Sequence, residues 1–419
     1  MEEPAPALLK HNRDFRKLWA GQTVSIFGSL ITRTALPFAA ILTLHASPLE
    51  LGLLSAADVA PGIVAGLIAG AWIDRLRRRP LMIAADLGRA VLLASIPLAY
   101  LLGTLHIAQL YLVALLAGTL TTVFEVAYLS YLPSVVGRAH LLEGNSRLAA
   151  SASVAETASF GLGGWLVQFF TAPLAIAIDA ASFLWSAAAL ALIRTPEPPP
   201  LALGERQGMR REIGEGLRLV WHDRPLRVLA GSVALMHVAF GIGGALYMLY
   251  VTRDLGFEPG VLGMIFAVGG VTSLGAAVLT PRLTARLGET RALAVGLALS
   301  AAGTVLVILT PGATILGIAF LVGQQLIGDA GATLFMVNNQ SLVQSAAPDR
   351  LLGRVNATVR FGTVAALLLG SLLGGVLGQF AGVRAAYVLS PLATMTAAVW
   401  LARLPATLHA RPEPLAARE

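Results

Sequence analysis

Long apolar runs separated by short polar segments dominate the pattern of hydrophobic and polar positions along the chain. A helix that crosses a bilayer needs about 20 predominantly apolar residues. Helices are required there because lipid cannot satisfy open backbone polar groups. We therefore predict twelve membrane helices, over residues 18–44, 51–73, 81–103, 108–131, 147–170, 174–193, 226–251, 259–281, 291–310, 313–336, 354–379 and 384–403.

The composition excludes an ordinary soluble protein. Hydrophobic residues occupy 56% of the 419 positions and charged residues only 13%, whereas soluble domains carry about 25% charged residues. So few charges cannot cover a water-facing surface, so a lipid bilayer is the expected environment. The chain has no cysteine, which excludes disulfides and cysteine-based metal sites.

The basic residues predict the orientation in the membrane. They occur in alternate loops, which contain Lys10, Arg13, Arg16, Lys17, Arg75, Arg77, Arg78, Arg79, Arg138, the segment 194–224, Arg282, Arg286, Arg350 and the C-terminal arginines. The other set of loops has only Arg253 and Arg384. By the positive-inside rule, both termini and the central loop are cytoplasmic. The net charge of +7 is thereby explained without nucleic acid binding.

The central polar segment interrupts the hydrophobic pattern. It begins with a stiff proline run that contains Pro196 and Pro198–Pro200. Apolar residues then recur at helical spacing over 205–221, which predicts an amphipathic helix at the cytoplasmic interface. The expected organisation is a bundle over 1–193, a linker over 194–224, a second bundle over 225–405 and a cytoplasmic tail over 406–419.

The two halves of the chain repeat each other at a constant offset of 211 residues. Matching pairs include Asn12 with Asp223, Phe124 with Phe335, Asn145 with Asn356, Gly163-Gly164 with Gly374-Gly375 and Gln168-Phe169 with Gln379-Phe380. Each half has six spans, so both repeats begin on the same side of the membrane. The predicted fold is an all-α integral membrane protein with twelve transmembrane helices in two pseudo-symmetric six-helix bundles.

The loop after the second helix carries a recognisable motif. It reads Gly70-Ala-Trp-Ile-Asp74-Arg75-Leu76-Arg77-Arg78-Arg79, which matches the pattern Gly-x-x-x-Asp-Arg-x-Gly-Arg-Arg at all positions except Arg77. The chain therefore resembles the major facilitator superfamily over nearly its full length. It is similar to the macrolide-efflux and enterobactin-exporter branch in the segments Ala85-Asp86-Leu-Gly-Arg89-Ala, Phe124-Glu125-Val-Ala, Leu142-x-x-Asn145 and Pro348-Asp349-Arg350-Leu-Leu-Gly353-Arg354-Val.

This resemblance implies a gating role for the motif. The gating residues would be Gly70, Asp74, Arg75, Arg78, Arg79 and Arg354. Asp74 would face the N-terminus of the eleventh helix, where free N–H groups favour a carboxylate, and Arg354 is close to that terminus. The alternative is that the basic residues only hold the loop in the cytoplasm.

Charges inside the spans indicate either structural pairs or function, because an embedded charge needs a partner or water. Asp86 and Arg89 are three residues apart on one helix and can pair with each other. Asp329 and Arg360 lie at similar depths on the tenth and eleventh spans. We expect both to be structural ion pairs.

Five other charges are candidates for proton coupling or substrate binding: Arg33, Asp58, Glu125, Glu156 and Asp179. Glu125 and Glu156 fall in the cytoplasmic half of helices joined by a short loop. Arg33 is placed to pair with Asp58. Our hypothesis is that at least one of Glu125, Glu156 and Asp58 carries a proton. The alternative for each is a hydrogen bond between helices.

These features predict a secondary active transporter that exports an amphipathic small molecule, a drug or siderophore, in exchange for protons by alternating access. The expected location is a bacterial cytoplasmic (inner) membrane, with the chain working as a monomer. No enzyme site, cofactor or metal is expected, and no nucleotide motif is present. An importer or a lipid exporter of the same fold is the alternative within transporters, and a membrane sensor is the alternative from another class.

Overall fold

The structure is a computed structural model that describes residues 12–73, 76–137, 140–197, 217–346 and 351–403. Twelve long helical segments make up most of these residues. The first six are α1 (Arg13–Thr43), α2 (Pro48–Ile73), α3 (Arg78–Leu101), α4 (Ile107–Val136), α5 (Leu141–Phe170) and α6 (Ala172–Ala191). The second six are α7 (Arg224–Asp254), α8 (Pro259–Leu287), α9 (Glu289–Leu309), α10 (Ile315–Ala346), α11 (Leu352–Ala381) and α12 (Val383–Ala402).

Each predicted span coincides with one of these helices, and the chain is a multi-pass membrane protein. Ten of the twelve are long and apolar enough to cross a membrane by length and composition, within the residues described. The other two are α2, whose 26 residues are mostly apolar with only Glu50 and Asp58 charged, and α5. Helix α5 carries Glu156 and several serines, which lower its mean hydropathy although it is 30 residues long.

The internal repeat is visible in local backbone structure. Asn12 caps α1 by accepting a hydrogen bond from the Phe15 N–H at 2.8 Å. Asp223, the equivalent residue at the offset of 211, caps α7 by accepting one from the Leu226 N–H at 3.0 Å. Both helices also end in a π-helical turn at equivalent positions, Ala39–Thr43 and Tyr250–Asp254. The two halves therefore share the same helix caps and π-helical turns as well as the same helices.

Helix packing repeats in the same way. In the first half, α1 packs on α5 and α6, and α3 packs on α4 and α6. In the second half, α7 packs on α11 and α12, and α9 packs on α10 and α12. The two apolar cores contain equivalent residues, such as Leu18 and Phe124 in one and Leu229 and Phe335 in the other. Each half is thus the same six-helix bundle.

The chain divides into two compact units. The first unit comprises Met1–Glu205 and Phe257–Ala267, and the second comprises Arg206–Gly256 and Val268–Glu419. Residues 257–267, which we assigned to the second bundle, group with the first unit because they pack on α5. A Cβ at Gly164 would lie 2.9 Å from the Gly263 Cα, and the Gln168 side chain accepts a hydrogen bond from the Gly260 N–H at 2.8 Å.

Candidate functional site

A buried cation occupies the centre of the first unit. Arg89 on α3 forms a salt bridge with Asp86, and their side chains are only 5% and 0% exposed. The guanidinium carbon lies 4.6 Å from the ring centre of Phe124 and 4.0 Å from that of Phe183. An Arg89 guanidinium nitrogen also donates a hydrogen bond to the Thr121 hydroxyl at 3.3 Å. Aromatic faces attract cations in such positions, so the guanidinium is fixed from both sides.

A second buried carboxylate, Asp179 on α6, lies in the same layer. It accepts hydrogen bonds from the Ser182 hydroxyl at 3.0 Å and the Ser29 hydroxyl at 3.5 Å. Gly28 on α1 leaves room for it, since a Cβ there would lie 2.6 Å from the Asp179 Oδ1. Arg89 interacts electrostatically with Asp179 as well as with Asp86. One guanidinium is therefore shared between two buried carboxylates.

Four other predicted charges are exposed rather than buried. Arg33 lies on α1, Asp58 on α2, Glu125 on α4 and Glu156 on α5, and all four residues are exposed at the surface of the protein. A charge within a membrane helix is costly in lipid, and such residues face water or a partner.

Three of these exposed residues interact electrostatically with other charges. Arg33 and Asp58 attract each other electrostatically, but within the described part of the chain they form no ion pair within 4.0 Å. Glu125 interacts with the buried Arg89. The exposed Glu125 is therefore within electrostatic range of the cation that Asp86 and Asp179 share. Three carboxylates thus depend on one guanidinium.

The predicted gating residues are only partly described. Gly70 lies within α2, whereas Asp74 and Arg75 fall outside the described residues. Arg354 lies in the first turn of α11. The hypothesis that this set forms a gate stays a prediction.

Arg78 and Arg79 contact the segment that follows α6. The Glu197 carboxylate accepts hydrogen bonds from the backbone N–H groups of both arginines, at 3.2 Å from Arg79, and lies 3.7 Å from the Arg78 guanidinium. The Arg79 guanidinium donates to the carbonyls of Leu190, at 2.9 Å, and Ala191. Glu197 thereby caps the positive N-terminus of α3, and Arg79 caps the end of α6. No sequence pattern pointed to Glu197, which stands between Pro196 and Pro198.

The start of the central linker is also attached to α1. The Asp14 carboxylate accepts hydrogen bonds from the N–H groups of Arg194 at 3.0 Å and Thr195 at 2.9 Å. Lys17 donates to the Leu192 carbonyl at 2.7 Å. Of the predicted amphipathic helix, only 217–221 belongs to the described residues; it is helical there, with Trp221 65% exposed. Residues 205–216 fall outside.

The predicted ion pair between Asp329 and Arg360 is not formed. Neither residue makes an ion pair within 4.0 Å in the described part of the structure, and Arg360 is exposed. Asp329 ends a π-helical turn, Gln325–Asp329, in the middle of α10. It faces Gly269 of α8 and accepts a hydrogen bond from the Gln324 amide at 3.4 Å. The extra residue of a π turn rotates the side chains after it around the helix.

Comparison with known proteins adds the family. A family model described as Major Facilitator Superfamily matches residues 18–362 and 242–419. The chain is 28% identical over 410 residues to the uncharacterized MFS-type transporter YfiS of Bacillus subtilis, covering 93% of this chain and 91% of that protein. It is 29% identical over 394 residues to the multidrug efflux pump Tap of Mycolicibacterium fortuitum, covering 90% and 93%.

Solved structures share the fold at low sequence identity. A bacterial homologue of the iron transporter ferroportin matches with a TM-score of 0.75 and 17% identity, over 93% of this chain and 98% of that chain. The nucleoside transporter NupG matches with a TM-score of 0.77 and 11% identity, over the same two fractions. These relatives and structural neighbours are transporters and not enzymes. With the two repeated six-helix bundles, the family match shows that the chain belongs to the Major Facilitator Superfamily.

Proposed function

We propose that this transporter exports an amphipathic small molecule, a drug or siderophore, in exchange for protons. The observation that carries the proposal is Glu125, an accessible carboxylate within a membrane helix that interacts with the buried Arg89. Acidic residues in such positions commonly belong to proton pathways. The similarity to a multidrug efflux pump supports export of a drug-like molecule.

The exchange follows from the charge balance of the first unit. With all three carboxylates ionised, Arg89 faces a net excess of negative charge from Asp86, Asp179 and Glu125. A proton on the accessible Glu125 relieves that excess, and its release restores it. A cationic or polar substrate group that approaches the same surface competes with the proton. Glu156 and Asp58 are the other accessible carboxylates on which the proton can reside.

We include the orientation in the membrane and the oligomeric state in the same proposal. The asymmetric distribution of arginines between alternate loops supports cytoplasmic termini in a bacterial inner membrane. Each chain carries both repeated bundles, so the exchange unit is a single chain.

The proposal is tested with the purified chain in liposomes that contain a pH-sensitive dye. Cationic drugs, macrolides and siderophores are added in turn, and the proton movement that each one causes is recorded. The variants Glu125→Gln, Glu156→Gln and Asp58→Asn are compared with the wild type. Glu143→Gln is the matched control, because Glu143 pairs with Arg147 in the first turns of α5.

We expect substrate-dependent proton movement in the wild type and in the control. This proton movement is lost in at least one of the three variants, and we predict the loss for Glu125→Gln. Substrate movement without proton flux, unchanged in all three variants, would contradict proton exchange and leave a facilitator or another coupling ion.

A further inference from the structure

One face of α7 in the second unit is not covered by the helices that pack on it. Helix α11 lies against Gly241, and on α12 the Ser390 hydroxyl donates a hydrogen bond to the Ala239 carbonyl at 3.0 Å. Residues three, four and seven apart share one side of a helix. The remaining side of α7 therefore carries His237, Phe240 and Gly244.

Space is open along this side of the helix. The Phe240 residue is 43% exposed. No atom of the described residues lies within 4 Å of a Cβ built at Gly244. At the offset of 211 residues, Gly244 is the equivalent of Arg33, which is also exposed. The second unit thus has a glycine where the first unit has a long side chain, so a ligand meets no side chain there.

His237 carries a hydrogen-bond acceptor that this unit does not use. The His237 Nδ1 lies 2.8 Å from the Val233 carbonyl oxygen, and a carbonyl can only accept, so Nδ1 donates. In the neutral ring, a proton on Nδ1 leaves Nε2 as an acceptor. Among the described residues, no donor forms a hydrogen bond to Nε2. Histidine within a membrane helix is rare and marks substrate pathways, so we expect the donor to come from a ligand.

Phe240 provides an aromatic surface beside that acceptor. The ring centres of His237 and Phe240 are 5.9 Å apart, and their planes meet at 74°. This edge-to-face contact holds the two rings in a defined arrangement. A ligand ring that stacks on the exposed Phe240 lies next to the imidazole, where a hydroxyl or N–H group on the ligand can donate to Nε2.

We propose that His237 and Phe240 bind an aromatic group of the exported molecule that carries an uncharged hydrogen-bond donor. The ligand class is a planar phenol or aromatic amine. A metal ion is a poorer match, since no group of three or more histidine or acidic side chains suited to one occurs in the described residues. The inference rests on the proposed export function and names a chemical group of its substrate.

The test compares binding of umbelliferone, a planar phenol, with binding of its methyl ether, which has the same rings and no donor. The purified full-length chain is placed in lipid nanodiscs, and equilibrium dialysis against empty nanodiscs corrects for uptake by lipid. His237→Phe removes the acceptor and keeps an aromatic ring, whereas His237→Gln supplies an acceptor oxygen. Phe240→Ala removes the stacking surface.

His222→Phe is the matched control. The His222 Nδ1 also lies 2.8 Å from a backbone carbonyl oxygen, that of Arg218, but His222 is exposed just before α7 begins. Thermal unfolding of each variant shows whether it is folded. The comparison of the two compounds on the wild type needs no variant, so it decides the question even where a variant does not fold.

We expect the wild type and the His222→Phe control to bind umbelliferone about tenfold more tightly than the methyl ether, as one hydrogen bond to an otherwise unpaired polar group implies. His237→Phe loses that preference through weaker umbelliferone binding alone, His237→Gln keeps part of it, and Phe240→Ala weakens binding of both compounds. Equal binding of the two compounds by the wild type, or an unchanged preference in His237→Phe, would overturn the assignment. Failure of the proton-exchange proposal is seen separately, as absent proton flux with umbelliferone binding intact.

Discussion

Arg89 has more acidic neighbours than one guanidinium can neutralise. Its salt bridge goes to Asp86, and it also interacts with Asp179 and Glu125. Removing one partner from a buried ion pair leaves an uncompensated charge, which is more costly than losing the whole pair. The role of Arg89 can therefore be tested by measuring protein stability as well as transport.

We predict that Arg89→Met lowers the free energy of unfolding by about 3–5 kcal/mol, because it leaves Asp86 and Asp179 buried without a cation. The double variant Asp86→Asn with Arg89→Met recovers part of that loss. Thermal unfolding in detergent measures both. Additive effects of the two substitutions would show that the residues do not act as a pair.

Two predicted ion pairs show how far sequence spacing can predict contacts between side chains. Spacing correctly placed Asp86 beside Arg89, since residues three apart on a helix are neighbours. The same reasoning placed Asp329 beside Arg360 and was wrong, because depth in the membrane does not determine which side of a helix a residue faces. The π turn that ends at Asp329 has no sequence pattern that we recognised. The hydroxyls of Ser29 and Ser182 around Asp179 were missed for the same reason.

At the scale of elements, close helix contacts depend on particular glycines. Helix α7 meets α11 where a Cβ at Gly241 would lie 2.6 Å from the Ser371 N. A Cβ at Gly370 would lie 2.9 Å from the Val238 Cα. Such small residues allow the backbones of membrane helices to approach closely. Hydropathy alone does not indicate which glycines of the two helices are in contact.

We predict that Gly370→Ala lowers the free energy of unfolding by about 1–3 kcal/mol, because the added methyl group must separate α7 from α11. Gly362→Ala is the matched control on the same helix, since no atom lies within 4 Å of a Cβ there. It is expected to be neutral or slightly stabilising, as alanine favours helices over glycine. Thermal unfolding in detergent compares the two, and equal effects would contradict this packing.

At the scale of the whole molecule, the repeat was the most informative property of the sequence. The offset of 211 predicted two equivalent bundles, and equivalent caps, π turns and packed helix pairs confirm it. The grouping of 257–267 with the first unit was not predictable. It depends on the contact of Gly164 with Gly263 and on the hydrogen bond to Gly260, which hydropathy does not encode.

The cysteine-free chain permits a direct test of orientation. We predict that a membrane-impermeant maleimide labels His106→Cys on intact cells and does not label Arg77→Cys until the cells are opened, because the basic loops remain inside. Both positions are exposed in the structure. The chain has no other cysteine to react. The reverse labelling pattern would invert the proposed topology.

In the proposed mechanism, a proton gradient drives substrate movement. This coupling is tested most directly by imposing a pH gradient across liposomes that contain the wild-type chain, with labelled tetraphenylphosphonium at equal concentrations on both sides and the membrane potential held at zero. We predict that the cation accumulates on the side with more protons, against its own concentration gradient, until an ionophore collapses the pH gradient. Distribution that stays equal with and without the pH gradient would contradict it.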